Sequence, residues 1–243
     1  MNLTQNASNK KAQERQWVDT FINLYGRSLK EMIVTECETP DFTLHNFHKK
    51  ISIEVTSIVN SEIKKEESLR QKIVNKAKEK SIGKYLPGLQ IDVTFIEEPI
   101  ICKGTEIEKF ADQLCEKVEM IYNKGNVKDE SRLRSFEEQY EDGIIKSISL
   151  SPNQSQAGWF TFDGFVFPTI DPLLLIERIA EKEKILKKYA VRYNENWLLL
   201  VANLWEGSSS YDFTNIKKAI KFTTKFHQVF IYLFDENRFI RLK

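Results

Sequence analysis

The sequence predicts a mixed α/β fold, and three observations indicate it. A helical pattern near the N-terminus is followed by three short strand-like stretches within residues 30–57. An amphipathic helical pattern at 171–190 precedes the apolar stretch NWLLLV, 196–201, which is typical of a strand buried on both faces. Two further strand patterns, joined by turn residues, close the chain. The predicted order of elements is typical of the α/β class: a helix, three strands, a long interruption, a second helix and a buried strand.

The elements of the first quarter are predicted from periodicity. The first helix runs from Lys11 to Tyr25, because apolar residues recur there at helical spacing, and Gly26 follows as a stop. The strand-like stretches lie around 30–36, 41–45 and 50–57. Residues 59–80 are helical and rich in lysine.

The rest of the chain alternates strands and helices. A strand is predicted at 89–96, a helix at 105–123, and a loop or loosely held helix over the polar stretch 124–142. The remaining elements are strands at 144–150 and 158–167, the helix 171–190, the strand 196–201, a helix at about 212–224, and a closing strand pair at 227–234 and 238–242. We interpret residues 1–243 as a single elaborated domain.

Composition excludes several classes of protein. Of the 243 residues, 41% are hydrophobic and 29% charged, as in soluble globular proteins, and the net charge is only +1, so binding to a polyanion requires local basic clusters. The three cysteines form no CxxC pair, which argues against a zinc site or a disulfide framework. No apolar run resembles a secretory signal or a membrane span. We therefore expect a cytoplasmic protein without a membrane partner.

Two acidic residues interrupt the strand patterns of the predicted hairpin. Asp41 opens the stretch 41–45, and Glu54 lies in the middle of 50–57. A hairpin that turns symmetrically about position 47.5 places these two residues directly opposite each other, on the face of the sheet away from the apolar alternation. Like charges at that separation destabilise a sheet, and a divalent cation between them would reverse the effect. The alternative is that both carboxylates are solvated or paired with nearby lysines.

The same residues carry a resemblance to a known family. The pair Pro40–Asp41, followed after twelve residues by the EVT of Glu54, Val55 and Thr56, resembles the motif of the PD-(D/E)xK nuclease superfamily. The resemblance implies a restriction-endonuclease-like core of helix, three-strand meander, helix and strand. That core would comprise 10–58 and 171–243, with a C-terminal β-hairpin and with 59–170 as a large mixed insertion.

The resemblance also implies a site and an activity. Asp41 and Glu54 would hold Mg²⁺ or Mn²⁺, and the activity would be metal-dependent hydrolysis of nucleic acid phosphodiester bonds, with DNA the expected substrate, in restriction or phage defence. A homodimer is compatible with it. The alternative within this fold is a catalytically degenerate module that binds nucleic acid or protein, and a further alternative is an unrelated α/β protein with a chance motif.

The chain departs from the family pattern at the motif lysine. Thr56 stands at that position and cannot supply a cation, although it could hydrogen-bond to a metal-bound water. Some members supply the lysine from the following helix, and Lys182 is our candidate, because on a helical projection it lies in the middle of an apolar stripe. The stripe is formed by Leu175, Ile179, Leu186 and Tyr189. We expect its ammonium within about 6 Å of the Glu54 carboxylate. A snorkelling Lys182, with Lys184 or Lys187 in its place, remains the alternative.

Weaker sequence patterns indicate further candidates for metal binding and phosphate contact. Glu14 shares one helix face with Val18, Phe21 and Tyr25, and the resemblance makes it a third metal ligand. The alternatives are a first-turn residue that favours the helix dipole, or Glu36 or Glu38 in the ligand role. The lysines of the helix 59–80 are predicted either to contact phosphates or to form a solvated face. The residues proposed for phosphate contact are Lys72, Lys76 and Lys80.

Overall fold

The computed structural model describes residues 3–85, 88–124, 136–153, 155, 157–161, 168–203 and 207–243. The chain divides into two compact units. The first unit comprises residues 1–60 and 167–243, and the second comprises residues 61–166. The second unit is therefore inserted in sequence between two parts of the first.

The fold is α/β, with mixed sheets. The six α-helices of the described residues are α1 (Leu3–Tyr25), α2 (Arg27–Lys30), α3 (Ser61–Lys80), α4 (Gly104–Lys124), α5 (Pro172–Glu183) and α6 (Ile216–Ala219). The strands are β1 (Ile33–Glu36), β2 (Phe42–His45), β3 (Lys50–Ser57), β4 (Leu89–Phe95), β5 (Phe136–Gln139), β6 (Ile145–Pro152), β7 (Gly158–Thr161), β8 (Glu195–Ala202), β9 (Gln228–Leu233) and β10 (Arg238–Arg241). No described helix is long and apolar enough to cross a membrane.

The first unit is built on a six-stranded sheet in the order β1-β2-β3-β8-β9-β10. The first three strands form an antiparallel meander, β3, β8 and β9 run parallel, and β10 returns antiparallel to β9. Phe42 pairs with Ile53 between β2 and β3. This register places position 41, just before β2, opposite position 54 in β3.

Both faces of this sheet are covered, which explains the apolar character of β8. Trp197, Leu199 and Val201 contribute to one core together with residues of α1, whereas Leu198 and Leu200 contribute to a second core on the opposite face. Successive strand residues point to opposite faces, so a strand between two cores has no polar side. The buried strand predicted at 196–201 is confirmed.

The helix α5 covers the second face and is defined by local sequence signals. Asp171 caps its N-terminus, with its side chain accepting a hydrogen bond from the backbone N–H of Leu173, and Pro172 occupies the first turn. Leu175 and Ile179 are buried in the second core. The α-helix ends at Glu183 and continues as a 3₁₀ helix, Lys184–Lys188, so the predicted helix 171–190 is two helical segments.

The second unit contains a four-stranded sheet in the order β5-β6-β4-β7. The strand β4 pairs antiparallel with β6 and parallel with β7. Ile73 and Ala77 of α3 and Leu114 and Val118 of α4 share one core with the buried residues of β4 and β6. The unit thus has a hydrophobic core of its own.

Some predicted elements differ from the structure. The helix expected at about 212–224 is reduced to the four residues of α6, and its next residue, Ile220, is extended. Further along, Thr224 and Lys225 donate hydrogen bonds to the side chain of Glu183. The strand-like stretch 30–36 begins only at Ile33 and follows the short helix α2. Of the polar stretch 124–142, residues 136–139 form β5, and residues 125–135 lie outside the described part, as do 162–167 of the predicted strand 158–167.

Candidate active site

The two hairpin carboxylates lie together, as the symmetric turn predicted. Asp41 immediately precedes β2, and Glu54 lies in β3 directly across the ladder. The Asp41 Oδ2 atom accepts a hydrogen bond of 2.8 Å from the backbone N–H of Val55, which fixes the position of this carboxylate against β3.

Lys182 of α5 connects the two carboxylates. Its Nζ atom lies 3.3 Å from Oδ2 of Asp41 and 3.0 Å from Oε2 of Glu54. The expected approach of the Lys182 ammonium to the Glu54 carboxylate is therefore confirmed. Because Oδ2 of Asp41 and Oε2 of Glu54 contact the same nitrogen, the distance between these two oxygens cannot exceed the sum of the two contact distances. Lys182 does not snorkel away from the sheet, since only 19% of its side chain is exposed.

Glu54 is more deeply buried than its strand pattern suggests. Only 2% of it is exposed, because α5 and the 3₁₀ helix cover the sheet face that the alternation of residues 51–57 marks as polar. The second oxygen of Glu54, Oε1, accepts a hydrogen bond of 2.9 Å from the hydroxyl of Tyr189. Each oxygen of this buried carboxylate thus has a donor, as burial requires.

Tyr189 is a site residue that the sequence reasoning treated only as part of an apolar stripe. The signal that could have found it was its place beside Lys182 on the same helical projection. Its ring packs against Tyr193 with ring centroids 5.4 Å apart. The hydroxyl of Tyr193 lies 3.4 Å from that of Thr43 in β2.

Glu14 approaches the site from the middle of α1. It is 7% exposed and forms ion pairs with Lys10 at 3.6 Å and Lys11 at 4.0 Å. The alternative of a first-turn residue is wrong, because α1 begins at Leu3 rather than near Lys11. Burial, followed by the negative charge of Asp41, raises the pKa of Glu14, while Lys10, Lys11 and Lys182 oppose the shift.

Lys11 is a second contact that the sequence reasoning missed. Its ammonium donates hydrogen bonds to the backbone carbonyls of Cys37, at 2.9 Å, and Asp41, at 3.1 Å. It also lies 4.0 Å from Oε2 of Glu14. Lys11 thereby connects α1 to the segment that carries Asp41. Its spacing from Glu14, one helical turn, was the available signal.

The pKa values reflect burial and crowding of like charges. Burial, and next the charge of Asp41, raises the pKa of Glu54, although Lys182 and Tyr189 act to lower it. Burial by itself would lower the pKa of Lys182, but the carboxylates of Asp41 and Glu54 raise it overall. Burial and the charge of Glu54 also raise the pKa of Tyr189. Lys182 and Tyr189 therefore keep their protons at neutral pH and remain donors to Glu54.

The other predicted residues lie elsewhere or act differently. Thr56 is half-buried two residues beyond Glu54, and its backbone pairs with Leu200 of β8. Glu36 lies 3.4 Å from the guanidinium of Arg15. Glu38 is exposed.

The three lysines predicted to contact phosphates belong to the second unit. Lys76 lies 3.1 Å from Oε1 of Glu108, and Lys80 lies 2.8 Å from Oε2 of Glu108 and 2.6 Å from Oδ1 of Asp112. Lys72 is exposed. Two of the three lysines thus already form ion pairs with carboxylates of α4.

The oxygen ligands of the site fit a hard divalent cation. Mg²⁺ is commonly bound by one or two carboxylates together with waters and substrate phosphate, and Asp41 and Glu54 supply such a pair. Within the described residues, no group of three or more His, Cys, Asp or Glu side chains is placed to hold a metal ion. Glu14 is electrostatically coupled to Asp41 but does not complete such a group.

Comparisons of the chain with protein-family models, with curated proteins and with solved structures found no match. A function for the protein is therefore proposed from the geometry and the charges of the site alone.

Proposed function

We propose that the protein is a metal-dependent nuclease that hydrolyses phosphodiester bonds of nucleic acid, with DNA as the expected substrate. The observation that carries the proposal is the ammonium of Lys182, which lies within 3.3 Å of both Asp41 and Glu54. The two carboxylates lie opposite each other in a hairpin, and one lysine contacts both. In a nuclease, the carboxylates would hold the metal and the lysine would interact with the phosphate. An arrangement required only for folding would be stabilised equally well by apolar side chains.

The proposal assigns a restriction-endonuclease-like core to the first unit. It is supported by the order of α1, the β1-β2-β3 meander, α5 and the parallel strand β8, together with the Pro40–Asp41 and Glu54 motif residues. The missing motif lysine at Thr56 is replaced in this scheme by Lys182. A cytoplasmic enzyme, acting as a monomer or a homodimer, is the form that we propose.

The charges of the site favour a divalent cation. Asp41 and Glu54 carry up to two negative charges and share the single positive charge of Lys182, whereas Glu14 is paired with Lys10 and Lys11. The Asp41–Glu54 pair thus keeps one negative charge beyond that of Lys182, and burial followed by the charge of Asp41 raises the pKa of Glu54. A Mg²⁺ or Mn²⁺ ion held by Asp41 and Glu54 would activate water and stabilise charge on the phosphate. Glu14 would become a further ligand only after its side chain moved, since no group of three acidic side chains among the described residues is placed to hold a metal.

Each protein residue has a separate task in this scheme. Tyr189 fixes the orientation of Glu54 through one oxygen, and Lys182 contacts the other. The backbone of Val55 fixes Asp41. Lys182 holds a proton and a positive charge where the phosphate would lie, which favours the more negative transition state. The half-buried Thr56 offers a hydroxyl donor beside Glu54.

A catalytically degenerate module is the second candidate. It is favoured by Thr56 at the motif position and by the lack, among the described residues, of a three-acid cluster for a metal. In that case Lys182 would serve as a permanent counter-ion. Titration with Mn²⁺ separates the two candidates, since an active site binds it in the millimolar range or tighter.

The test uses one isosteric variant and one matched control. Wild-type protein, Glu54→Gln and Glu177→Gln are incubated with mixed DNA and RNA in Mn²⁺ or Mg²⁺. Glu177 is exposed on α5 and serves as the control. We expect cleavage by the wild type and the control, and a loss of at least about 100-fold in Glu54→Gln. Absence of cleavage by the wild type with either metal, or full activity of Glu54→Gln, would refute the proposal.

A further inference from the structure

Basic residues accumulate in one part of the first unit. Between residues 184 and 225 the sequence contains eight lysines and arginines and only three acidic residues, although the whole chain has a net charge of +1. All eight basic side chains are exposed. We call them the basic surface: Lys184, Lys187, Lys188, Arg192, Lys217, Lys218, Lys221 and Lys225.

The two segments that carry the basic surface pack together. Leu186 of the 3₁₀ helix and Ile216 and Ile220 of the α6 region contribute to the same hydrophobic core. The side chain of Glu183 accepts hydrogen bonds from the hydroxyl of Thr224, at 2.8 Å, and from the backbone N–H of Lys225, at 3.2 Å. The cations therefore lie on neighbouring segments that cover one face of the six-stranded sheet.

The basic surface lacks counter-ions within the described part of the chain. No described carboxylate lies within ion-pair distance of any of its eight residues. The described acidic residues of the same segment have other partners. Glu195 contacts Lys49 and the indole N–H of Trp197, and Asp212 accepts hydrogen bonds from Thr214. Like charges that accumulate without counter-ions repel one another and attract an anionic partner.

The basic surface borders the candidate active site along the chain. Lys184 follows Lys182 by two residues, and Lys187 and Lys188 directly precede Tyr189, which donates a hydrogen bond to Glu54. A polyanion bound there would pass beside the two carboxylates.

We infer that the basic surface binds the phosphodiester backbone of the nucleic acid that enters the candidate active site. The inference rests on the proposed function for the identity of the polyanion. It assigns backbone binding to the first unit rather than to α3, where Lys76 and Lys80 already lie against the carboxylates of Glu108 and Asp112. Unpaired lysines release more free energy on phosphate binding, because no existing ion pair has to be broken.

Three triple variants with the same change of charge test the inference. The basic-surface variant replaces Lys187, Lys188 and Lys225 by Gln. The comparison variant in α3 replaces Lys72, Lys76 and Lys80 by Gln. The control variant replaces three exposed lysines outside both regions, Lys30, Lys103 and Lys109, by Gln.

Binding is measured without cleavage. Labelled duplex DNA, single-stranded DNA and RNA of one sequence are titrated in EDTA over a series of salt concentrations, with fluorescence anisotropy as the readout. Circular dichroism confirms that each variant is folded. The basic-surface variant should bind at least about tenfold more weakly, and the slope of log K against log salt for the duplex should become shallower by roughly 2 to 3, since each lost phosphate contact removes about 0.9. The control should bind as the wild type does.

Loss of binding to any of the three nucleic acids in the basic-surface variant supports the inference and identifies the partner. Wild-type affinity and salt slope in that variant, a larger loss in the α3 variant, or no binding by the wild type would overturn it. The two proposals fail separately. Binding through the basic surface without cleavage would refute the nuclease chemistry alone. Cleavage that depends on Glu54, with unchanged binding by the basic-surface variant, would refute the surface alone.

Discussion

Replacing Lys182 by Met should destabilise the first unit by about 3 kcal/mol at pH 8 in the absence of metal, because removing one partner of a buried ion pair typically costs about 3–5 kcal/mol. The side chain of Glu54 is 2% exposed, and the lost ammonium lies 3.0 Å from its Oε2 and 3.3 Å from Oδ2 of Asp41. We expect the lower end of the range, because Tyr189 still donates to the other oxygen of Glu54. Methionine approximately preserves the volume of the lysine stem, so the effect isolates the charge.

The loss should depend on pH in a defined direction. Burial and Asp41 raise the pKa of Glu54 above its ordinary value of 4.5, and Lys182 opposes the shift, so the substitution raises that pKa further. A carboxyl group whose pKa is higher in the folded state contributes least to stability when it is ionised. Stability is therefore retained below pH 4.5 and falls as the pH rises through the pKa of the folded state. The extra loss in Lys182→Met should therefore be small at acid pH, where Glu54 is protonated in both proteins, and should reach its full size once the pH exceeds the raised pKa of Glu54 in the folded variant.

Urea unfolding followed by tryptophan fluorescence measures the effect, since Trp17 and Trp197 are buried in the first unit. Lys184→Met, two residues along the chain and exposed, is the matched control and should unfold as the wild type does. Adding Glu54→Gln to Lys182→Met should restore much of the stability, because no buried charge is then left without a partner. An unchanged urea midpoint for Lys182→Met at pH 8 would refute the view that its ammonium compensates Glu54.

Two further predictions concern the hydrogen bonds of the site. Tyr189→Phe removes the donor to Oε1 of Glu54 and leaves the aromatic ring in place, so the free energy of unfolding measured in urea should fall by about 1–2 kcal/mol; a wild-type value would show that this hydrogen bond is replaced by solvent. Asp41→Asn retains a carbonyl oxygen that can accept from the Val55 N–H but removes a metal-binding charge. It should fold normally and bind Mn²⁺ at least about tenfold more weakly by calorimetry, and wild-type affinity would exclude Asp41 as a ligand.

Simple periodicities were sufficient to predict the main geometry of the site. The two-residue repeat of β2 and β3 and the position of the turn predicted that Asp41 lies opposite Glu54, and the observed pairing of Phe42 with Ile53 has that register. The helical repeat predicted that Lys182 faces the sheet. Both predictions are local, since each depends only on the direction of side chains within one hairpin or one helix.

Contacts between distant segments could not be read from the sequence in this way. The alternation of residues 51–57 marked the face of Glu54 as polar, but α5, more than 100 residues further along the chain, covers it. The projection placed Tyr189 beside Lys182, but the buried carboxylate that accepts its hydrogen bond lies 135 residues earlier in the chain. The contact of Glu183 with Thr224 likewise joins residues 41 positions apart and has no local sequence signal.

The insertion of the second unit separates the two halves of the candidate site along the chain. Glu54 and Lys182 are 128 residues apart in sequence, and the parallel ladder of β3 and β8, seven residue pairs long, joins their segments. The carboxylates therefore belong to one stretch of polypeptide and the cation to another, and non-covalent pairing brings them together. A chain cut within the second unit yields two fragments. One fragment carries Asp41 and Glu54, and the other carries Lys182. Fragment complementation would then report directly on assembly of the β3–β8 ladder.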